Sequence, residues 1–325
     1  MSVRSRLIKG STLVAAGLAA ALTLTACGGS SDPLASSTSA SAAASGSAAA
    51  SGSGSAAAGG AIVIGSANFP ESALLANIYA SALKAKGEDA STNLNIGSRE
   101  VYLKALQDGS IDLVPEYTGV LLQYFDPTAT ATAPEDVYTA LQAATPAGLE
   151  VLAKSEAEDK DAVVVTKETA DANNLKTIAD LGPVASGFIL GGPPEWATRP
   201  TGVPGLQSVY GLTFKEFKPL DAGGPLTLNA LTGDQIQAGN LFTTDPAILA
   251  NDLVALEDPK SLFAAQNILP LINSDKATPE VTSTLDAVSA KLTTDTLIEL
   301  LTKVTVDKQD SAQVAEEWVK ANIPG

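Results

Sequence analysis

The chain has 325 residues, and its 20 Lys+Arg against 36 Asp+Glu give a formal net charge of −16. Such an acidic surface would repel phosphate groups, which argues against nucleic acid and anionic lipid headgroups as partners. With no histidine and a single cysteine, the chain has no imidazole for catalysis or metal binding and cannot form an internal disulfide.

The first sixty residues predict an export signal followed by a tether. Residues 1–26 combine basic residues, an apolar run from Leu13 to Leu24 and small residues before Cys27, which is the pattern of a signal peptide. The apolar run is shorter than the roughly 20 residues that span a bilayer. Residues 27–60 consist almost entirely of Ser, Ala and Gly, a composition typical of a flexible linker.

Residues 61–162 alternate between short apolar runs and segments with helical spacing, which predicts a first α/β lobe. The predicted elements are a strand at Ala61–Ser66, a helix at Glu71–Lys86, a strand at Asn93–Ile96, a helix at Glu100–Gln107 and a strand at Ile111–Pro115. Strands that alternate with helices in this way usually form a parallel sheet with helices on its faces.

Residues 163–248 repeat this pattern and predict a second lobe, with elements at Val163–Thr166, Ala170–Leu181, Gly187–Leu190, Leu206–Tyr210 and Leu241–Thr244. After a strand at Leu253–Leu256, the sequence pattern indicates only helices, at Val281–Leu292, Thr294–Val304 and Ser311–Ala321. We expect residues 249–325 to return to the first lobe. The predicted fold class is therefore α/β and two-lobed, with parallel-rich sheets, flanking helices and a ligand cleft between the lobes.

Polar and aromatic residues follow several predicted strands, where they would face that cleft. The candidates are Asn68, Phe69, Glu71 and Ser72 after the first strand, Ser98 and Arg99 after the second, Tyr117 and Thr118 after the third, and Trp196 and Arg199 in a Gly/Pro-rich loop of the second lobe. Each also has a structural explanation as a helix start, a cap, a packed ring or a turn. An arginine such as Arg99 is more often a solvated surface charge than a ligand contact.

Carboxylates are numerous, but none of them forms a recognisable catalytic pair. The charge run at Glu156–Asp161 is typical of a solvated loop. No two carboxylates stand out as a general acid and base.

Several segments of the body resemble a known family. They are IGSANFPESALL, GSREVYLKALQDGSIDLVPEYTG, GGPPEWATRPTGVPGLQSVYGL and FTTDPAI, in this order. Over about residues 61–323 the chain is similar to the glycine betaine, carnitine and choline binding proteins of osmoprotectant ABC importers. The resemblance implies a type II periplasmic-binding-protein fold that closes over a small solute and delivers it to a permease with a cytoplasmic ATPase.

The resemblance also implies roles for individual residues. Tyr117 stands where the family has a tyrosine of its aromatic cage, and Arg199 where it has the arginine that holds the substrate carboxylate. At other positions this chain differs from the family. Ala67 stands where the family often has a lysine, and the Val163–Val165 run stands where it has a tyrosine. Two further tyrosines of the family correspond to Phe242 and Gln266. A cage with fewer electron-rich rings would bind a quaternary ammonium more weakly, because each cation–π contact contributes about 0.5–2 kcal/mol.

At the amino terminus, the residues LTACG around Cys27 resemble the lipobox of bacterial lipoproteins, which implies cleavage before Cys27 and lipidation of its thiol. An ordinary secretory signal with a chance cysteine is the alternative. With the lipobox, the chain is an extracytoplasmic protein whose only contact with the cell membrane is its lipid anchor.

Together these features predict a monomeric solute-binding lipoprotein of an ABC importer, without cofactor or metal and without enzyme activity. Its partners would be a small betaine-like solute, the permease and its ATPase. The predicted ligand-binding residues are Asn68, Phe69, Glu71, Ser72, Ser98, Arg99, Tyr117, Thr118, Trp196, Arg199, Phe242, Thr244, Asp245 and Gln266. The alternatives are a receptor of the same fold for a non-betaine ligand, a secreted carboxylate-based enzyme, and a sensory or structural lipoprotein that has lost transport.

Overall fold

The computed structural model describes residues 60–323, so the predicted signal peptide, Cys27 and the tether up to residue 59 lie outside the described part. The strands are β1 (Ile62–Ala67), β2 (Ala90–Gly97), β3 (Leu113–Tyr117), β4 (Leu149–Val151), β5 (Asp161–Thr166), β6 (Ile189–Gly192), β7 (Glu216–Pro219), β8 (Ala238–Phe242), β9 (Leu253–Ala255) and β10 (Ile268–Asn273). The α-helices are α1 (Pro70–Ala85), α2 (Arg99–Gln107), α3 (Thr118–Phe125), α4 (Pro134–Ala144), α5 (Lys167–Asn173), α6 (Val203–Tyr210), α7 (Pro225–Thr232), α8 (Ala247–Ala250), α9 (Pro279–Ser289), α10 (Thr294–Leu301) and α11 (Ser311–Asn322). None of the helices within residues 60–323 is both long and apolar enough to cross a membrane.

The first sheet has the strand order β2-β1-β3-β10-β4. In it, β1 runs parallel to β2 and β3, whereas β10 is antiparallel to both β3 and β4. Helix α1 begins at Pro70, which suits a first helical position because the N–H that proline lacks would be unpaired there. Leu74 and Ile78 of α1 are buried in a core shared with α9, α10 and α11, and α2, α3 and α4 contribute to a second core on the first sheet.

The second sheet has the order β7-β6-β8-β5-β9. Here β6 runs parallel to β7 and β8, and β5 is antiparallel to β8 and β9. Each sheet therefore has three adjacent parallel strands. Next to them lies one antiparallel strand, β10 or β5, which pairs on its other side with an edge strand, β4 or β9. Two cores enclose the second sheet, one containing Trp196 and the other containing Leu231.

The chain passes from the first sheet to the second over residues 152–160, between β4 and β5, and returns over residues 256–267, between β9 and β10. Two such crossings join two α/β lobes, and the predicted fold class is confirmed. Because β9 pairs with β5, the second sheet extends beyond residue 248, where the sequence-based boundary lay.

Two predictions for individual elements are wrong. Residues Ile268–Asn273 were expected outside any strand, but they form β10 between β3 and β4. A short, fully buried apolar run has no periodicity that distinguishes a strand from another buried segment. The helix expected at Ala170–Leu181 is instead α5 followed by a separate 3-10 turn at Ile178–Leu181, because Asn174 adopts a left-handed φ of 54° that ends α5.

Candidate ligand-binding site

A cavity with about 600 Å³ of empty space, partly open to solvent, lies between the two sheets. Ala67, Tyr117, Pro193 and Phe242 line it, and they stand at or just after the carboxyl ends of β1, β3, β6 and β8. Ligands in α/β proteins commonly bind at these strand ends. The structure therefore contains a cleft of the kind that the sequence predicts.

Most of the predicted ligand-binding residues line this cavity, namely Asn68, Phe69, Ser98, Arg99, Tyr117, Trp196, Arg199, Phe242 and Gln266. Glu71, Thr244 and Asp245 line a second, smaller pocket that shares Phe69 and Phe242 with the first.

Ser72 and Thr118 line neither pocket. The Ser72 hydroxyl accepts the Ala67 N–H at 2.9 Å. The Thr118 hydroxyl donates to the Ala265 carbonyl and accepts the Asn267 N–H, both at 3.0 Å. These bonds hold the backbone behind the cavity.

Arg99 is buried, which contradicts its interpretation as a solvated surface charge. Its Nε and Nη2 each donate to a carboxylate oxygen of Glu116 at 2.8 Å, and the Tyr102 hydroxyl donates to the same carboxylate at 2.6 Å. Burial by itself lowers the pKa of Arg99, but the Glu116 charge outweighs it and the net pKa is raised. Arg99 is thus a charged, internally neutralised part of the cavity wall.

Arg199 reaches from the second lobe to the first. Its Nε and Nη2 donate to the two carboxylate oxygens of Glu100 on α2, at 3.1 and 3.0 Å. Glu195 lies at 3.8 Å from the same guanidinium. The pair with Glu100 is a bidentate contact between the two lobes, of the strong planar kind that arginine forms with carboxylates.

Glu71 forms a second connection between the lobes. The Tyr117 hydroxyl donates to one carboxylate oxygen at 2.7 Å, and the Thr244 hydroxyl donates to the other at 2.6 Å. Burial raises the pKa of Glu71 to about 7, although both hydrogen bonds lower it. Burial and the nearby Glu71 charge also raise the pKa of Asp159. Two carboxyls that are buried side by side favour holding a proton.

The second lobe adds polar groups that sequence analysis did not select. Asp161, at the start of β5, and Asn240, in β8, both line the cavity, and the Asn240 amide donates to Asp161 at 2.8 Å. Burial raises the pKa of Asp161, against the Asn240 hydrogen bond and the charges of Arg199 and Arg99, which lower it.

Aromatic rings form the apolar part of the wall. The Phe69 and Phe242 ring centroids lie 5.0 Å apart across the two lobes, and Phe69 lies 6.2 Å from Tyr117. Trp196 also lines the cavity, but it is almost fully buried and stacks on Phe263 at 6.2 Å within the core of the second lobe. Trp196 therefore combines the packing and the lining roles that the sequence left open.

Gln266 contributes to the wall mainly through the backbone that it holds. Its side-chain oxygen accepts the N–H groups of Gly119 and Val120, both at 3.0 Å. These N–H groups belong to the first turn of α3, where no carbonyl within the helix can accept them. Gln266 caps this helix at the cavity.

Five further polar residues line the cavity although the sequence does not single them out, namely Asp159, Asp161, Asn240, Tyr102 and Glu195. Asp159 and Asp161 belong to the charge run that was expected to be a solvated loop, but Asp159 is only 4% exposed. The sequence does contain a signal for their burial, because this charge run lies next to the predicted strand Val163–Thr166. Asn240 is the polar residue of the otherwise apolar strand AGNLF, which is also a recognisable anomaly.

The chemistry of the cavity is that of a binding site. It presents carboxylates, amides and aromatic faces, and its two arginines already face acidic side chains. Within residues 60–323 no group of three or more Asp, Glu or Cys side chains is arranged to hold a metal ion.

Comparison with known proteins finds similar chains among glycine-betaine-binding proteins. A glycine-betaine-binding protein of Pseudomonas aeruginosa is 27% identical over 273 residues, which cover 79% of this chain and 86% of that protein. The glycine betaine-binding protein YehZ of Escherichia coli is 24% identical over 282 residues, covering 80% of this chain and 90% of YehZ. A solved structure described as a glycine betaine/carnitine/choline ABC transporter has the same fold, with a TM-score of 0.64, 24% identity, and coverage of 80% of this chain and 98% of its own.

The family described as the substrate binding domain of the ABC-type glycine betaine transport system, OpuAC, matches residues 60–321. This match spans both lobes and both crossings. By this description, the family consists of solute-binding domains of transport systems. The chain belongs to the OpuAC family of substrate-binding domains.

Proposed function

We propose that this protein is the extracytoplasmic receptor of an ABC importer, which closes its two lobes over a small solute and delivers it to the permease and its ATPase. The observation that carries this proposal is the cavity at the facing strand ends, bridged by Arg199–Glu100 and by Glu71–Thr244. Contacts of this kind link the lobes directly, so they favour the closed arrangement of a two-lobed receptor.

The ligand that we propose is a betaine-like osmolyte or a related small polar solute. The names of the relatives support this class, and Phe69, Tyr117 and Phe242 supply aromatic faces for a cationic group. Arg199 is the proposed anchor for an acidic group. To bind it, Arg199 would exchange one carboxylate, that of Glu100, for another.

Titration of glycine betaine, choline and carnitine into the purified protein by calorimetry tests this proposal. We expect weak binding of glycine betaine, since Tyr117, Trp196 and Phe242, with Phe69 beside them, enclose the cation less favourably than four tyrosines would. Tyr117→Ala should weaken it further. For a ligand with a carboxylate, Arg199→Ala should cost about 2–5 kcal/mol of binding free energy. Unchanged affinity of Arg199→Ala would refute the anchor, and turnover of any solute would refute the receptor.

We also propose that the mature chain is a monomer tethered to the membrane by a lipid on Cys27, which lies outside the described residues. Support comes from the position of this cysteine after LTA and before a Ser/Ala/Gly-rich segment. Cys27→Ser should shift the protein from the membrane fraction into the medium. Continued sedimentation of Cys27→Ser with membranes would contradict the anchor.

A further inference from the structure

Arg99 and Arg199 both line the cavity, but their acidic partners hold them differently. The pair of Arg199 with Glu100 is partly open to solvent, with 24% and 42% of the two side chains exposed. The pair of Arg99 with Glu116 is buried, with 9% and 0% exposed. Because a buried pair is costly to break, Arg99 keeps its glutamate when a ligand enters the cavity.

Arg99 has donors left after it has paired with Glu116. A guanidinium carries five N–H groups, and Arg99 bonds Glu116 through Nε and Nη2, at 2.8 Å each. No acceptor among residues 60–323 bonds to its Nη1. Arg99 also contributes none of the polar side-chain atoms that are both sealed and unpaired in this part of the chain. The Nη1 edge is therefore open to the cavity that Arg99 lines.

Glu116 holds this edge in place. In addition to the two bonds from Arg99, its carboxylate accepts the Tyr102 hydroxyl at 2.6 Å and the Tyr117 N–H at 3.1 Å. Four donors fix the carboxylate, and the carboxylate in turn fixes the guanidinium. A donor that is already in position loses little conformational freedom when a ligand binds.

The start of helix α2 favours the same kind of ligand group. Arg99 is the first residue of this nine-residue helix, and Ser98 before it also lines the cavity. The Ser98 side chain does not cap the helix. The first N–H groups of a helix have no carbonyl partner within it and carry a partial positive charge, so they attract an anion.

Arg99 and Arg199 act on the same part of the cavity, although they come from different lobes. Burial raises the pKa of Asp161, and the charges of Arg199 and Arg99 both lower it. No salt bridge joins Asp161 to either arginine in the described part of the chain. The two arginines also line a neighbouring pocket together. Both guanidinium groups therefore face a common space.

We propose that Arg99 binds the carboxylate of the solute through Nη1 while it stays paired with Glu116, and that it holds this carboxylate together with Arg199. This inference rests on the proposed function, because it assigns a second contact to the acidic group of the same solute. Arg99 supplies the contact from the first lobe and Arg199 the contact from the second. A solute without a carboxylate, such as choline, makes no use of Arg99.

Calorimetric titration of the full chain with glycine betaine, carnitine and choline tests the inference in the variant Arg99→Lys. Lysine keeps a cation beside Glu116, but its ammonium is a single point that cannot bond Glu116 and also reach the cavity. We expect the affinity for glycine betaine and carnitine to fall about tenfold or more, the size expected for a hydrogen bond between charged groups. The affinity for choline should stay unchanged.

Two further variants control for charge and folding. The double variant Arg99→Gln/Glu116→Gln removes the buried pair without changing the net charge, and it should show the same selective loss of carboxylate binding. Lys104→Gln removes an exposed cation from the same helix and should leave all three affinities unchanged. Urea unfolding verifies that each variant is folded before the titration.

Unchanged glycine betaine affinity in folded Arg99→Lys would overturn the inference. An equal loss for choline and glycine betaine would overturn it as well, since a change in cavity shape affects both solutes. In both cases the proposed function stands, because the protein still binds a small solute. If the wild type binds none of the three solutes, the inference and the proposed ligand class fall together, so titration of the wild type distinguishes the two failures.

Discussion

Glu71 makes the stability of this fold depend on pH. Burial raises its pKa from the ordinary value of 4.5 to about 7, against the hydrogen bonds from Thr244 and Tyr117. Between these two pH values the folded chain holds a proton that the unfolded chain has released. The free energy of unfolding therefore falls as the pH rises through this window, and the contribution of Glu71 is complete only below about pH 4.5.

The size of the effect follows from the same two values. A pKa change from 4.5 to about 7 corresponds to about 3 kcal/mol of unfolding free energy. Solvent screens little of it, because Glu71 is only 3% exposed. Asp159 adds to the effect in the same direction, since burial and the Glu71 charge raise its pKa as well.

Glu71→Gln removes this titration while keeping the shape of the side chain. The amide oxygen can still accept the Tyr117 hydroxyl, which now bonds Glu71 at 2.7 Å. We expect the variant and the wild type to have similar stability near pH 4.5, and the variant to be more stable by up to about 3 kcal/mol above pH 7. Urea unfolding followed by tryptophan fluorescence at several pH values measures the difference.

Glu168→Gln is the matched control, because Glu168 is exposed on α5. Its stability profile should run parallel to that of the wild type, since titrations elsewhere in the chain cancel in the comparison. If the Glu71→Gln profile also runs parallel to the wild type, the protonated buried carboxyl does not exist and the reasoning fails.

Further predictions concern the free energy of unfolding of single variants, which the same urea unfolding experiment measures. Glu116→Gln leaves the buried Arg99 without its charged partner and should cost about 3–5 kcal/mol, whereas replacing both residues by apolar side chains should recover much of this loss. Gly119→Ala should cost about 1–3 kcal/mol, because the added Cβ would lie 2.6 Å from a backbone carbonyl oxygen, while Gly187→Ala, with nothing within 4 Å, should be close to neutral. Asp310→Ala removes the side-chain cap of α11, whose acceptor lies 2.9 Å from a backbone N–H, and should cost about 1 kcal/mol. Equal stability of the Gly119 and Gly187 variants, or no loss in the other two, would contradict these assignments.

The fold class could be predicted from the sequence because its signals are local. Apolar spacing in α1, a proline at position 70 and glycines after strands each act over a few residues, and they specify alternating strands and helices. The order of these elements then predicts where strand ends meet. Phe69 and Tyr117, which follow predicted strands, line the cavity, and so does Phe242, which only the family resemblance pointed to.

What only the tertiary structure decided is where charged and polar side chains find their partners. Arg99, at the start of α2, is buried because Glu116 of strand β3 neutralises it, and Arg199 meets Glu100 from the opposite lobe, 99 residues away. Asp159 and Asn240 belong to the cavity only because the two crossings bring their segments together. Local pattern carries no information about such pairings, since the energy of a buried charge or amide depends on groups that are distant in sequence and become neighbours only in the folded chain.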